Sequence, residues 1–288
     1  MISQFREHMP VTRLCDLVGA SKSWYYDSRR KTGSVVCSEV VLLRDAVEEI
    51  ALEFPGYGYR RVTKALARDG MVVNHKRVLR IMREESLLCH LRRRWIVTTD
   101  SQHTKRVYPN LAKGMCVTGL NQLWVADITY VRLPRAFVYL ACVLDARSRK
   151  VIGWSMSEAI DTMLALRALW MALNDRNPSP SWVHHSDRGV QYASEDYIQA
   201  LAESGARISM SGKGNPYDNA FAEAFFRTLK VEQVNLNDYG SYQEAVDSIG
   251  EFIEAVYNRK RLHSSIGYVP PEEFEEHTDL ESMGVIPC

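Results

Sequence analysis

The chain has 288 residues, is 46% hydrophobic and 25% charged, and carries a formal net charge of +1. This composition is ordinary for a folded globular protein and excludes disordered, collagenous and coiled-coil classes; no stretch approaches the ~20 apolar residues of a membrane helix. The neutral total conceals an asymmetry: residues 1–120 hold 21 Lys and Arg against 12 Asp and Glu, and residues 121–288 hold 15 against 23. A basic half joined to an acidic half points to a polyanionic partner, with two solvated domains of different charge as the plain alternative.

The N-terminal stretch MISQFREHMPVTRLC has neither an apolar core nor a small-residue cleavage site, so no signal peptide and a cytoplasmic location are expected. The six cysteines are scattered and form no Cys-x-x-Cys pair; Cys89–His90 and His184–His185 are adjacent rather than at ligand spacing. Reduced thiols, not structural zinc, are the reading.

Residues 11–31 read as two short helices around Gly19, with Val11, Leu14, Cys15 and Val18 on one apolar face and Ser21 as a helix cap. This is helix-turn-helix grammar, shared by many small helical hairpins. Residues 39–53 form an amphipathic helix with Val40, Leu43, Val47 and Ile50 inward. After Pro55-Gly56, YGYRRVTKALARDG buries Val62, Leu66 and Ala65 and stops at Gly70; Asn74 caps a second helix whose stripe is Val78, Ile81 and Met82. Arg60, Arg61, Lys64, Lys76, Arg77 and Arg80 fall largely off that stripe. Cations displayed this way neutralise DNA phosphates, the alternative being a solvated helix surface. Arg92-Arg93-Arg94 adds a further basic run suited to backbone contact.

From Leu123 the pattern changes. LWVADITYVRL, FVYLACVLDA and RKVIGWSM are β-rich runs with short connections and predict an antiparallel meander. A helix over Asp161–Leu173, a strand over Trp182–Ser186, a helix over Ser194–Glu203 and a strand over Arg207–Met210 follow. Helices over Asp218–Val231 and Tyr242–Tyr257 close the series. The order βββαβαβα predicts an α/β, ribonuclease-H-like core: a mixed five-stranded sheet, three strands antiparallel and two parallel, behind an all-α helix-turn-helix region.

Three carboxylates stand out on this layout. Asp127 lies mid-strand among Val125, Ile128 and Tyr130, where a charge is costly unless something cationic meets it. Asp187 ends the fourth strand in VHHSDRGVQY, and 35 residues separate it from Glu223 in the helix of NPYDNAFAEAFFRTLK. A lone Asp is ordinarily a surface group or a cap; three on these elements are another matter. Glu223, Arg227 and Lys230 share a helix face, with Phe221, Phe225 and Leu229 on a neighbouring one. Asp145 reads as a turn cap, and Arg188 as either a phosphate contact or a loop tie. Asn258-Arg259-Lys260-Arg261 and His263 read as a basic cluster that either carries DNA or meets a helix dipole. Gly212, Gly214 and Pro216 predict a mobile entry to the Glu223 helix.

The words WVADITY, LDARSRKVIGW, HSDRGVQY, GNPYDNAFAEAFFRTLKVE and YNRKRLHSSIGYVPPEEF occur in that order, after YGYRRVTKAL and VNHKRVLRIM. Together they resemble the DDE recombinases, and more narrowly the integrase-core subunit from the second reading frame of the insertion-sequence-three family. The resemblance implies a DNA transposase that cleaves transposon ends and transfers strands with Mg²⁺ or Mn²⁺, two ions when DNA is bound. It implies Asp127 bridging both ions, Asp187 and Glu223 holding one each, and Lys230 gripping end DNA. Double-stranded DNA, a homo-oligomer on paired ends and a first-reading-frame product are the implied partners, in the bacterial cytoplasm and nucleoid. DNA contacts are expected from Arg60, Arg61, Lys76, Arg77, Arg188, Arg227, Lys230 and Arg261. The expected division is a helix-turn-helix region over 1–95, a linker over 96–120, a catalytic core over 121–275 and a tail over 276–288; the acidic end Glu272–Glu281 has no assigned role. The rival classes are a non-catalytic DNA-binding regulator of transposition and a ribonuclease-H-like nuclease.

Overall fold

The computed structural model describes residues 11–19, 21, 23, 38–89, 106–134, 136–212 and 219–282. The chain splits into two compact units, residues 1–49 and 50–288. In the first, α1 (Val11–Val18) buries Cys15 and stops at Gly19, whose φ of +66° is the left-handed conformation that only glycine adopts without strain. The rest of the first helix-turn-helix candidate, apart from Ser21 and Ser23, lies outside the described residues, as do Arg92-Arg93-Arg94 and the Gly214–Pro216 entry loop. Helix α2 (Ser38–Glu53) buries Leu43, Val47 and Ile50 at the expected spacing.

The second unit begins with a helical hairpin. Helix α3 (Tyr59–Arg68) buries Val62 and Leu66, and α4 (His75–Glu84) buries Val78, Ile81 and Met82. Ala65 is only half-buried. Gly70, at φ +84°, lets the Met71 N–H reach the Leu66 carbonyl at 2.8 Å, and Asn74 caps α4 through the Lys76 N–H at 2.9 Å.

The core is a five-stranded sheet in the order β3-β2-β1-β4-β5, with β1 Leu123–Arg132, β2 Phe137–Asp145, β3 Val151–Ser157, β4 Val183–Ser186 and β5 Arg207–Met210. β1, β2 and β3 form the antiparallel meander, while β4 and β5 run parallel to β1. Side chains alternate across this sheet, so Leu123 and Val125 enter one core and Trp124 and Ala126 the other. Helices α5 (Thr162–Arg176) and α6 (Glu195–Glu203) cover the Trp124 face; α7 (Ala220–Leu229) and α8 (Tyr242–Glu251) cover the Leu123 face. Helix α5 comes so close at Gly153 that a β-carbon there would collide with the Ala168 carbonyl. Asp145 is buried and accepts the backbone N–H groups of Asn121, Arg147 and Ser148 at 2.6–3.0 Å, the turn cap expected of it.

Two adjacent histidines on β4 face opposite cores. His184 meets the Tyr197 hydroxyl at 2.9 Å, and burial drives its pKa down to about 3, so it is neutral. His185 sits between the hydroxyls of Ser209 and Ser211, at 2.8 and 3.1 Å. Among the described residues, Cys15, Cys89, Cys116 and Cys142 are free thiols.

Three features differ from the periodic expectation. Helix α7 runs on as a π-helical turn, Lys230–Val234, and α8 as a longer one, Phe252–Asn258. The widened turns carry Glu232 and Asn258, both buried; the Asn258 amide accepts from the Val151 N–H at 3.0 Å and donates to its carbonyl at 2.9 Å. The acidic end is a helix, α9 (Pro271–Ser282), whose carboxylates are ion-pair partners: Glu272 for Arg259 and Lys150, Glu273 for Arg68, Glu275 for Arg176 and Lys150. Among the described residues no helix is long and apolar enough to cross a membrane.

Candidate functional site

The parallel ladder between β1 and β4 ends at the pair Ala126 and Ser186. The next residue on each strand is an aspartate, Asp127 on β1 and Asp187 just past β4. Neighbouring strands lie ~4.8 Å apart, so register alone brings these two carboxylates together. They meet where the antiparallel and parallel halves of the sheet join, at the carboxyl end of β4, the kind of switch point at which open α/β sheets place ligands.

Helix α7 supplies the third. Asn219, buried at its N-terminus, directs its amide at the Ala126 carbonyl, 3.5 Å away and one residue before Asp127. Phe225, Phe226 and Leu229 bury against the sheet, which leaves Glu223 exposed in the first helical turn. A carboxylate there is favoured by the helix dipole.

The electrostatics reflect this gathering. Burial raises the pKa of Asp127 well above the usual carboxylate range; the Asp187 charge raises it further, the Ile128 N–H at 2.8 Å opposes, and Glu223 adds a smaller push upward. Glu223 is itself raised by partial burial and lowered by Arg227. Lys230 is the cation near Asp127: burial lowers its pKa, Asp127 raises it, and its ammonium stands 4.6 Å from the Tyr130 ring centre. Asp187 accepts the Gly189 N–H at 2.8 Å. Tyr192, buried from the other side, has its pKa raised by burial and also by the Asp127 and Asp187 charges. Like charges concentrated in this way repel, and an all-oxygen donor set suits a hard divalent cation. Among the described residues, however, no three such side chains are gathered tightly enough to ligate one ion together. Asp127 and Asp187 form the fitting pair, and Glu223 stands at the edge, directly after the undescribed residues 213–218.

The expected DNA-contact residues fall in different places. Arg60 and Lys76 are exposed on the hairpin, and Arg61 and Arg77 half-buried. Arg227 is exposed on α7. Arg188 donates through Nε to the Ser211 carbonyl at 2.8 Å, which ties down the loop after β4.

Arg261 requires correction. It is 3% exposed and forms a two-pronged pair with Glu232 at 2.7 and 2.8 Å. A guanidinium committed to a buried carboxylate is not presented to DNA. Of its neighbours, Asn258 is bound to β3, whereas Arg259 and Lys260 are exposed cations in surface pairs with Glu272 and Glu53. Sequence reading missed Asn219 and Tyr192 as neighbours of the carboxylates. Asn219 carries a signal in the words PYDNAFAEAF; Tyr192 carries none beyond its closeness in sequence to Asp187.

Comparison with known proteins agrees with this architecture. The HTH-like domain family matches residues 40–95, and two integrase core domain families match 118–216 and 204–271. The chain is 35% identical over 283 residues to the transposase InsF for insertion sequence IS3A of Escherichia coli, covering 95% of this chain and 96% of that one. It is 36% identical over 238 residues to the transposase for insertion sequence element IS904 of Lactococcus lactis, covering 82% and 94%. An uncharacterized 31 kDa protein of insertion element IS600 from Shigella sonnei is 36% identical over 271 residues, covering 91% and 97%. Solved structures that resemble it include a simian T-cell lymphotropic virus intasome bound to a PP2A regulatory subunit (17% identity, TM-score 0.45, covering 74% of this chain and 70% of that one). Another is the catalytic core of BIV integrase (16%, TM-score 0.41, 57% and 99%). With relatives this similar over most of its length, the chain belongs to the IS3 family of transposases, DDE-type polynucleotidyl transferases built on an integrase core.

Proposed function

We propose that Asp127, Asp187 and Glu223 are the catalytic carboxylates of this transposase and hold two divalent cations, Mg²⁺ or Mn²⁺, on the phosphate to be cut. The observation that carries the reading is the register: the two aspartates follow the last β1–β4 pair side by side, and α7 packs on β1 with Glu223 in its first turn. When bound, such a cation pair activates an attacking oxygen and stabilises the leaving oxygen of an in-line displacement at phosphorus. The chain's own groups do the rest. The Ile128 and Gly189 N–H groups fix the orientation of Asp127 and Asp187. Lys230, which feels the Asp127 charge, would hold the phosphate of the end DNA, and Arg227, which feels that of Glu223, the strand beyond it.

Successive use of water and a DNA 3′-hydroxyl as nucleophiles cuts the ends and joins strands, with no covalent bond between protein and DNA. Exposed Arg60 and Lys76, with Arg77, serve as backbone contacts of the hairpin in a helix-turn-helix region over 1–95, and residues 121–275 serve as the catalytic core. Joining needs two ends in one complex, so a homo-oligomer on DNA is the working form, in the cytoplasm and with a first-frame product as partner.

The test is an end-cleavage assay with labelled transposon-end duplex and the two-frame fusion protein. Mg²⁺ should give nicked product ending in a free 3′-hydroxyl, and EDTA should reduce it to background. Cutting that persists in EDTA, or a protein–DNA adduct, would contradict the metal-dependent reading; a fusion that binds ends yet never cuts would favour the regulator.

A further inference from the structure

On α7, about one helical turn beyond Glu223, lies a pocket of ≈ 350 Å³ of which the catalytic reading uses Arg227 alone. Four arginines line it: Arg61 from the hairpin, Arg149 from the β2–β3 turn, Arg227 from α7 and Arg261 from the segment after α8. Glu232 is the one carboxylate among the lining residues, and both its oxygens are taken by Arg261.

Two of the remaining arginines carry an unpaired buried donor. The Nε atoms of Arg61 and Arg149 are buried without a hydrogen-bond partner among the described residues, as is Nε2 of His263, which is 8% exposed and lines the same pocket. A buried donor left unpaired is costly, the more so when charged, so two charged ones in a single pocket point to an acceptor supplied from outside. The guanidinium of Arg149 is held 3.9 Å over the Phe221 ring, and its backbone keeps φ at +69°, a conformation unusual for a residue with a side chain. Arg61 is likewise held over Tyr57 at 5.7 Å. Burial lowers the pKa of both arginines; the Arg261 charge lowers that of Arg61 further and Glu232 only partly opposes it, while Tyr257 and Asp145 oppose the shift of Arg149.

We propose that this pocket is a phosphate-binding site, in which Arg61, Arg149 and Arg227 together grip one tetrahedral anion. Planar guanidinium forks are matched to phosphate oxygens. The phosphate comes either from the backbone of bound DNA or from a free phosphate or nucleotide, and the chemistry is the same. In the DNA case, which rests on the transposase reading above, the pocket links the hairpin through Arg61 to the helix that carries Glu223.

Two binding measurements on the full chain test this, both in EDTA so that failure of the metal assignment has no effect on them. Calorimetry with inorganic phosphate should show saturable binding, weakened at least about tenfold in Arg149→Gln and in Arg227→Gln and retained in Arg167→Gln, whose exposed side chain lies outside the pocket. Arg227 is exposed, so its variant folds even where loss of Arg149 disturbs the turn. Anisotropy with labelled duplex over a range of salt should show Arg149→Gln and Arg227→Gln each losing about one unit of the salt slope if the phosphate is DNA's. Phosphate binding with an unchanged DNA slope assigns the pocket to a free phosphate or nucleotide and sustains the site. No phosphate binding together with unchanged slopes in both folded variants would overturn it.

Discussion

Replacement of Asp127 by asparagine should abolish end cleavage, by roughly a thousandfold or more, or about 4 kcal/mol of transition-state stabilisation. The isosteric amide keeps the shape of the strand but loses the charge that would hold both cations. The same substitution should leave the melting temperature unchanged or raise it, because it removes a desolvated carboxylate that the Asp187 and Glu223 charges repel. A gain in stability with a loss of activity is the signature of a site whose charges are placed for function and not for folding. Cleavage kinetics and thermal unfolding on the same preparation check both halves. A large fall in stability would mean that Asp127 acts as a structural group paired with Lys230.

Arg261→Ala should have the opposite profile. Glu232 would be left as an unpaired charge, 3% exposed at its side chain, and breaking a buried pair by removing one partner costs ~3–5 kcal/mol. The loss should propagate to the hairpin, since Arg261 lies 5.8 Å over the Tyr57 ring and the Tyr57 hydroxyl accepts the Leu262 N–H at 2.6 Å. Gly56 packs so closely on the Glu232 carboxylate that no β-carbon fits there, so that carboxylate cannot relax outward on this side. A drop in melting temperature of roughly 10 °C is expected. The double variant Arg261→Met with Glu232→Leu should recover most of it, because apolar groups of similar volume avoid the uncompensated charge. Thermal unfolding of the two variants decides the matter; an unperturbed Arg261→Ala would show the pair to be dispensable.

Much of this architecture is written in local pattern. The β-rich runs LWVADITYVRL and FVYLACVLDA with their short connections specified the meander, and the cap at Asn74 set a helix start, because these signals act over a few residues. The carboxylates were legible for a similar reason: strand ends and helix faces can be counted. The role of the YNRKRLHSS run was not. Its charges read as a DNA surface, yet Asn258 joins β3 over 107 residues of sequence and Arg261 joins Glu232 over 29. The acidic residues after Pro271 looked idle for the same reason, since Arg68 is 205 residues away from Glu273. Periodicity reports which face is apolar; it does not report which distant charge a polar side chain will meet.

Under the proposed mechanism, Asp127, Asp187 and Glu223 hold the cations that do the chemistry. Crystals of the chain on uncleaved transposon-end DNA, grown with Mn²⁺, test it most directly through anomalous scattering. Two manganese peaks ~3.5–4 Å apart are expected, both against Asp127, one also against Asp187 and the other against Glu223, with the scissile phosphate between them. Manganese bound elsewhere on the chain, with these three side chains free of metal in the DNA complex, would contradict the account.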